Sequence, residues 1–398
     1  MVKGIFWLIV AYGLSQFYRA CLAVFAPVLK IEIGLGTDHV SAALGIWFLV
    51  FAAMQIPVGW LLDHRSPKAT AAGLLALGGG LGALTFALAQ GPGAVKLSMA
   101  LIGMGCSPVL MASLYIIARS APADRFGTFT GLVLGLGSLG NVAAATPLAL
   151  SLEAIGWRWT MVGLAGLSAL VALALYRFVE DPPHIEHDVT APRAGLGELL
   201  RLRALYPILL IALVAYAPGA GLRGSWIGSF LSDMLGAGMD RVGGGALWMA
   251  LAMIAGSLAF GPIDRLIRSH KAIVSAAAFL TLLPLLLLWA GYGAQSFPAA
   301  VGLFVVIGFF ASSYPQVMSH GRSLIPPELV GRGVTLINLF SIGGVGLSQL
   351  VTARLFAHAS ETSLTAGYAA VFGYFSLTLL LCLVIYLIFA RDPKPGEG

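Results

Sequence analysis

Two arginines sit inside apolar runs where a charge needs a reason. Arg19 lies in "AYGLSQFYRACLAVFAP", part of a run from Gly4 to about Leu29, and Arg223 lies in "AYAPGAGLRGSWIGSFL". Arg223 follows Arg19 by 204 residues, and Tyr216 follows Tyr12 by the same interval. Each tyrosine precedes its arginine by seven residues, two helical turns, so the pair shares one helix face. A guanidinium at a bilayer centre costs roughly 2.5–3.5 kcal/mol on insertion scales and is kept facing a bundle interior or an aqueous cavity. An ion pair between helices would need an acid at the same depth. All seventeen Asp and Glu lie in loops or near the ends of apolar runs, Asp233 and Asp63 being the deepest. Two such cations facing one cavity form an electropositive site for an anion; backbone carbonyls or water are the other way to satisfy them. The planar fork of arginine takes a carboxylate or phosphate bidentately and stays charged at any working pH. Tyr12, Gln16, Tyr18, Tyr216 and Trp226 lie on or beside the two arginine faces and are candidate ligands with them.

The elements that must carry these residues follow from composition. The chain of 398 residues is 59% hydrophobic and 10% charged, with a mean hydropathy of +0.91. A soluble protein carries roughly 25% charged residues, so this is an integral membrane protein. Its apolar stretches are long enough to cross a hydrocarbon core as helices and lack the period-2 alternation of a β-barrel. Fifty glycines suit the close packing of membrane helices. Polar punctuation marks about twelve spans: 4–29, 40–62, 70–90, 94–118, 127–151, 158–178, 205–232, 242–263, 272–292, 297–319, 333–357 and 366–390. The start "MVKGIFWLIV" resembles a signal peptide, but the run is too long and lacks a small-residue cleavage site; it is expected to be an uncleaved first helix. The polar stretch 180–203 divides an N-terminal bundle, 1–179, from a C-terminal bundle, 204–398. The three cysteines, Cys21, Cys106 and Cys382, lie far apart and suggest neither a disulfide framework nor a zinc site.

With both termini cytoplasmic, sixteen Lys and Arg fall inside, five outside, and Arg19 and Arg223 near mid-membrane. The positive-inside rule therefore sets the orientation, and the net charge of +6 reflects topology rather than a nucleic-acid partner. The two halves also repeat. "GWLLDHRSPK" after span 2 is echoed by "GPIDRLIRSHK" after span 8, and "ARSAPADRFG" after span 4 by "GRSLIPPELVG" after span 10.

Twelve spans in two parallel repeated halves, with an acid-plus-basic loop after spans 2 and 8, resemble the major facilitator superfamily over essentially the whole chain. The loop signature of that family appears as Gly59, Asp63 and Lys68, with Ser66 at the position of a glycine; the arginine expected before "GMG" of span 4 is Met99. "YRACLAVFAP" and "LRGSWIGSFL" look like the span-1 and span-7 segments of organophosphate:phosphate antiporters and related organic-anion carriers. The resemblance implies an all-α membrane fold of two pseudo-symmetric six-helix halves. It also implies alternating access and an arginine from each half on the substrate anion near the midplane. Spans 4 and 10 line the cavity in such proteins, which adds Tyr115, Tyr314 and Gln316, with Ser107 and Ser313, as candidate substrate ligands. Asp63, Asp264, Arg125 and Arg265 are the expected gate residues of the loops. His320, near the end of span 10, is expected at the membrane interface, and Asn141 and Asn338 are open between packing and function.

The expected function is secondary transport of a small anion, an organic carboxylate type above all, by exchange or with a cation. No cofactor is expected. The partners are the anion and the bilayer, with no nucleic acid, and the chain works as a monomer in a bacterial inner membrane. One alternative is a copper-type importer using Met249, Met253, Met104 and Cys106, since thioethers and thiols bind Cu(I). Another is a non-transporting sensor or assembly factor on the same scaffold. An enzyme is not expected, because no loop carries a nucleophile–base pair or a metal-ligand cluster.

Overall fold

The computed structural model describes residues 4–120, 125–182, 199, 201–267, 269–326 and 329–392, without the side chains of residues 63, 126, 127, 264, 265 and 331. All regular structure among them is helical. Ten helices are long and apolar enough to cross a membrane, and the bent pair Ile5–Tyr18 and Leu22–Ile33 makes an eleventh. The difference from twelve spans has a local cause. The helical run Thr146–Phe178 is two helices that meet at a kink at Gly156, whose φ of 75° and ψ of 164° are not helical, so the end of span 5 and span 6 are separate helices that a count by length alone takes together. What remains of span 5, Thr128–Ala143, is a shorter apolar helix.

The chain forms two compact units, Met1–Glu186 with Gly238–Ala246, and His187–Ala237 with Leu247–Gly398. Each unit shows the same devices, as the internal repeat requires. Glycine sets the closest approaches: a Cβ on Gly140 would strike the Gly13 carbonyl, and one on Gly344, 204 residues later, would strike the Leu213 carbonyl. Span 5 thereby lies against span 1, and span 11 against span 7, with backbones nearly touching. Small residues at membrane-helix interfaces allow this dispersion-rich packing.

Both ends of each unit are tied by polar contacts. In the first unit the Trp157 indole donates to Glu32 at 2.6 Å, and in the second the Tyr368 hydroxyl donates to Asp233 at 2.8 Å. At the opposite ends, spans 3 and 9 begin with a serine cap. Ser66 accepts from the Ala69 N–H and Ser269 from the Ala272 N–H, each satisfying one of the orphan donors of a helix start. A carboxylate then completes each start. Asp181 accepts from the Ser66 hydroxyl and from the Lys68 N–H at 2.9 Å. Asp392 accepts from the Ser269 hydroxyl and from the Lys271 N–H at 2.9 Å. A negative group at a helix N-terminus is favourable because the unpaired N–H groups concentrate positive charge there.

Candidate functional site

Each key arginine sits on an irregularity of its helix. Span 1 stops at Tyr18 and resumes at Leu22, bending by 47°, and Arg19 stands at the start of the turn between. The Ala20 N–H reaches only three residues back, to the Phe17 carbonyl at 3.0 Å. Arg223 lies within a π-helical turn, Leu222–Trp226, and is buried. Such single π turns recur at functional positions because they displace a side chain from the regular helical face.

The Arg19 guanidinium carbon lies 5.4 Å from the Trp47 ring centre and 5.6 Å from that of Phe51. The two rings of span 2 stack on each other at 5.0 Å, 18° from parallel, and hold the cation by the attraction of a positive charge for a π face. No carboxylate pairs with Arg19 among the described residues. Its Nε and the Trp47 Nε1 are buried and meet no acceptor there. One turn away, the Gln16 amide donates to the Tyr12 hydroxyl at 2.9 Å, and the Tyr12 ring packs on Gly137 of span 5. Tyr18, next in sequence to Arg19, is turned elsewhere: its hydroxyl meets Ser168 of span 6 at 2.9 Å. Cys106 of span 4 is a free, buried cysteine.

Around Arg223 the organising residue is Gln349 of span 11. Its amide donates to the Gly221 carbonyl at 3.1 Å and to the Ser225 hydroxyl at 2.7 Å. Its oxygen accepts from the Trp226 indole at 2.9 Å. One side chain thus brackets the π turn from both ends. Trp226 is fully buried against Phe356 and Tyr368, so its ring builds this packing. Tyr216 packs on Tyr314 with ring centres 5.2 Å apart and planes tilted by 34°, and the Tyr314 hydroxyl donates to Asn338, linking spans 7, 10 and 11. Gln316 is buried and donates to the Phe260 carbonyl of span 8 at 3.1 Å.

The remaining candidates have other surroundings. Tyr115 carries the Arg119 guanidinium at 4.3 Å. Met249 and Met253 pack on Gly308 of span 10, and Met104 is half-buried. Arg125 precedes helix Phe126–Gly137 and is exposed. Asp63, Asp264 and Arg265 belong to helices that end spans 2 and 8, and their side chains lie outside the described residues. His320 is fully buried within the protein, beside residues that follow the last span. Its Nδ1 meets the Tyr386 hydroxyl at 2.5 Å and its Nε2 the Arg391 carbonyl at 3.1 Å. The carbonyl can only accept, so Nε2 carries the proton and the tyrosine donates to Nδ1.

Sequence reasoning missed Trp47, Phe51 and Gln349. The first two read as ordinary apolar positions of span 2. Gln349 offered one signal, an amide in the middle of an apolar span, which in a membrane demands partners.

The sequence matches the model of the Major Facilitator Superfamily over residues 8–348. The chain belongs to that family, whose members are transporters rather than enzymes. It is 24% identical over 275 residues to the probable sulfoacetate transporter of Cupriavidus necator, covering 64% of this chain and 62% of that one. It is 24% identical over 175 residues to the probable L-galactonate transporter of Escherichia coli K12, covering 42% and 37%. These matches span less than two thirds of either relative. Among solved structures, a bacterial homolog of the human lysosomal transporter Spinster, inward-facing and occupied, aligns with a TM-score of 0.75 at 16% identity over 98% of this chain and 96% of that one. A D-xylose–proton symporter aligns with a TM-score of 0.78 at 12% identity over 98% of each chain. At those identities the likeness establishes the fold.

Proposed function

We propose that the protein is a secondary active transporter of a small organic oxyanion, with Arg19 and Arg223 as the groups that neutralise its charge. The observation that carries this reading is Arg19 itself. Its guanidinium stands on an unwound turn, is held on two aromatic rings, and has no carboxylate partner among the described residues. A partly buried cation at membrane depth without a counter-ion is costly, and an anionic substrate relieves that cost each time it binds. Relatives named for sulfoacetate and L-galactonate, both organic anions, support the same substrate class. Such a site favours exchange of one anion for another or symport with a cation, by alternating access in a monomer. Tyr12 and Gln16 near Arg19, and Tyr216 with Tyr314 in the second unit, are the supporting polar groups; Asp63, Asp264, Arg125 and Arg265 serve the gate. The Lys and Arg bias supports cytoplasmic termini in a bacterial inner membrane.

The test is counterflow in proteoliposomes loaded with a panel of carboxylates, sulfonates, phosphates and nitrate. Arg19→Gln and Arg223→Gln are each expected to lower transport of the accepted anion at least tenfold, while the purified variants keep the parent's elution profile. Transport at the parental rate in both variants refutes the reading.

A further inference from the structure

The carboxylate clamp at the start of span 9 repeats the one at the start of span 3, yet three positions beside it have changed character. Pro67 follows Ser66 as His270 follows Ser269. Ile117 precedes Arg119 as His320 precedes Arg322, and Leu175 precedes Asp181 as Tyr386 precedes Asp392. Pro67, Ile117 and Leu175 are buried and apolar, and the serine, carboxylate and N–H contacts of the first unit form all the same. A clamp of this design therefore does not need two imidazoles and a phenol. What those groups add in the second unit is a titratable cluster.

Both nitrogens of the buried His320 are used in the neutral form. Nε2 gives its hydrogen to the Arg391 carbonyl, and Nδ1 receives that of Tyr386. A second proton, on Nδ1, would set a donor against a donor. The Tyr386 hydroxyl, buried as well, would have to turn its hydrogen away from its one acceptor among the described residues. The new charge would also face His270, whose ring lies 6.0 Å away at 29°, and Lys271, whose ammonium holds the Leu387 carbonyl. Asp392 favours the charge, with Oδ1 3.8 Å from Nε2, but that oxygen already receives the Lys271 N–H. His270, Lys271 and Asp392 are the charged or titratable groups that act on the ring. Spans 7 and 11 bring only Ile208 and Ile337 against the neighbouring Gly321, and Arg322 on the same helix is exposed. The closed clamp thus excludes a second proton, and an opened one, with His320 in water, accepts it.

We propose that His320 is a proton-binding site of the second unit, taking up a proton when the Asp392 clamp opens, so that acid drives the opening. No substrate is needed for it. In the open state the imidazole titrates at the ordinary histidine value of about 6.5. Opening is then flat above that pH and rises about tenfold between pH 7.5 and 5.5, the closed clamp remaining the major form. Amide exchange in the purified full chain reads the opening, each rate divided by the intrinsic rate at its pH. Segment 269–273 of the parent is expected to open about tenfold more at pH 5.5 than at 7.5. Segment 66–70, the clamp without a histidine, is the control in the same sample and changes less than about threefold. Two variants remove the titration. His320→Gln offers a donor and an acceptor at every pH, and the triple variant His270→Pro, His320→Ile, Tyr386→Leu installs the first unit's own residues. In each, the rise at 269–273 falls below about threefold. A parent without the rise overturns the proposal, as does an equal rise at 66–70 or a parental rise in either variant.

Discussion

Replacing Asp392 by asparagine tests whether the carboxylate at the start of span 9 is a structural clamp, and pH supplies the signature. Asp392 receives the Ser269 hydroxyl and the Lys271 N–H, with the His320 ring nitrogen 3.8 Å from its Oδ1. Burial pushes its pKa up, but the Ser269 hydroxyl, the Lys271 N–H and the two imidazoles outweigh that effect, so the net shift is downward. Asparagine keeps an oxygen for the N–H and loses the charge. A hydrogen bond to a charged group contributes about 1.5–3 kcal/mol against about 1 for a neutral one, and charge at a helix N-terminus adds roughly 0.3–1 kcal/mol. Asp392 is partly exposed, so solvent screening reduces both contributions. The expected loss at neutral pH is about 1–2 kcal/mol. Thermal unfolding in detergent reads this as a fall of several degrees, at roughly 2–4 °C per kcal/mol for units of about 200 residues. A carboxyl whose folded pKa is depressed contributes its full stability above the unfolded value, about 3.9, and loses it as pH falls through the folded value. The gap between parent and variant should therefore stay constant from neutral pH down to about 4 and close only below that. A variant that unfolds with the parent at neutral pH, or a gap that closes already near pH 6, refutes the clamp.

Two further outcomes are expected from the second unit. His320→Phe removes both ring hydrogen bonds and leaves the buried Tyr386 hydroxyl without its acceptor, at a cost of about 2–4 kcal/mol; adding Tyr386→Phe should recover about 1 kcal/mol of it, which a double-mutant cycle of thermal unfolding measures. Gln349→Leu frees the π turn that carries Arg223. It should raise the KM of the counterflow substrate about tenfold, worth about 1.4 kcal/mol, while the maximal rate changes less than threefold; an unchanged KM would show that the turn holds its shape unaided.

The helical class, the duplication and most span boundaries are legible in the sequence because a bilayer leaves so few options: apolar length alone decides what can cross. Gly156 follows the same reasoning: hydropathy sees polar punctuation there and ends a span, and the backbone breaks its helix at that glycine through a non-helical φ and ψ. The paired acids at the starts of spans 3 and 9 were out of reach, since Asp181 and Asp392 meet their serines across 115 and 123 residues.

The two arginines were visible as charges, but what makes them distinctive was not. A regular helix would give Arg19 and Arg223 side chains aligned with the helix face. Instead one interrupts its helix and the other rides a π turn. "APGAGLRG" forewarns of the second, because proline and clustered glycine loosen helical hydrogen bonding. "SQFYRACL" carries no such warning, and its break belongs to tertiary packing. Tyr18 is anchored on Ser168 of span 6 and Arg19 is drawn to Trp47 and Phe51 of span 2, so adjacent side chains are held by different helices. A straight helix presents neighbours about 100° apart, and the turn at Arg19 supplies the extra freedom that lets both contacts form. If that account is right, Tyr18→Phe should leave Arg19 in place, because the ring still packs, while Trp47→Ala should loosen it. In the family to which this chain belongs, helices of one bundle are expected to shift during transport. Under the function proposed above, a cation seated at a break and held by rings rather than by an acid would follow its substrate without first dissociating from a counter-ion.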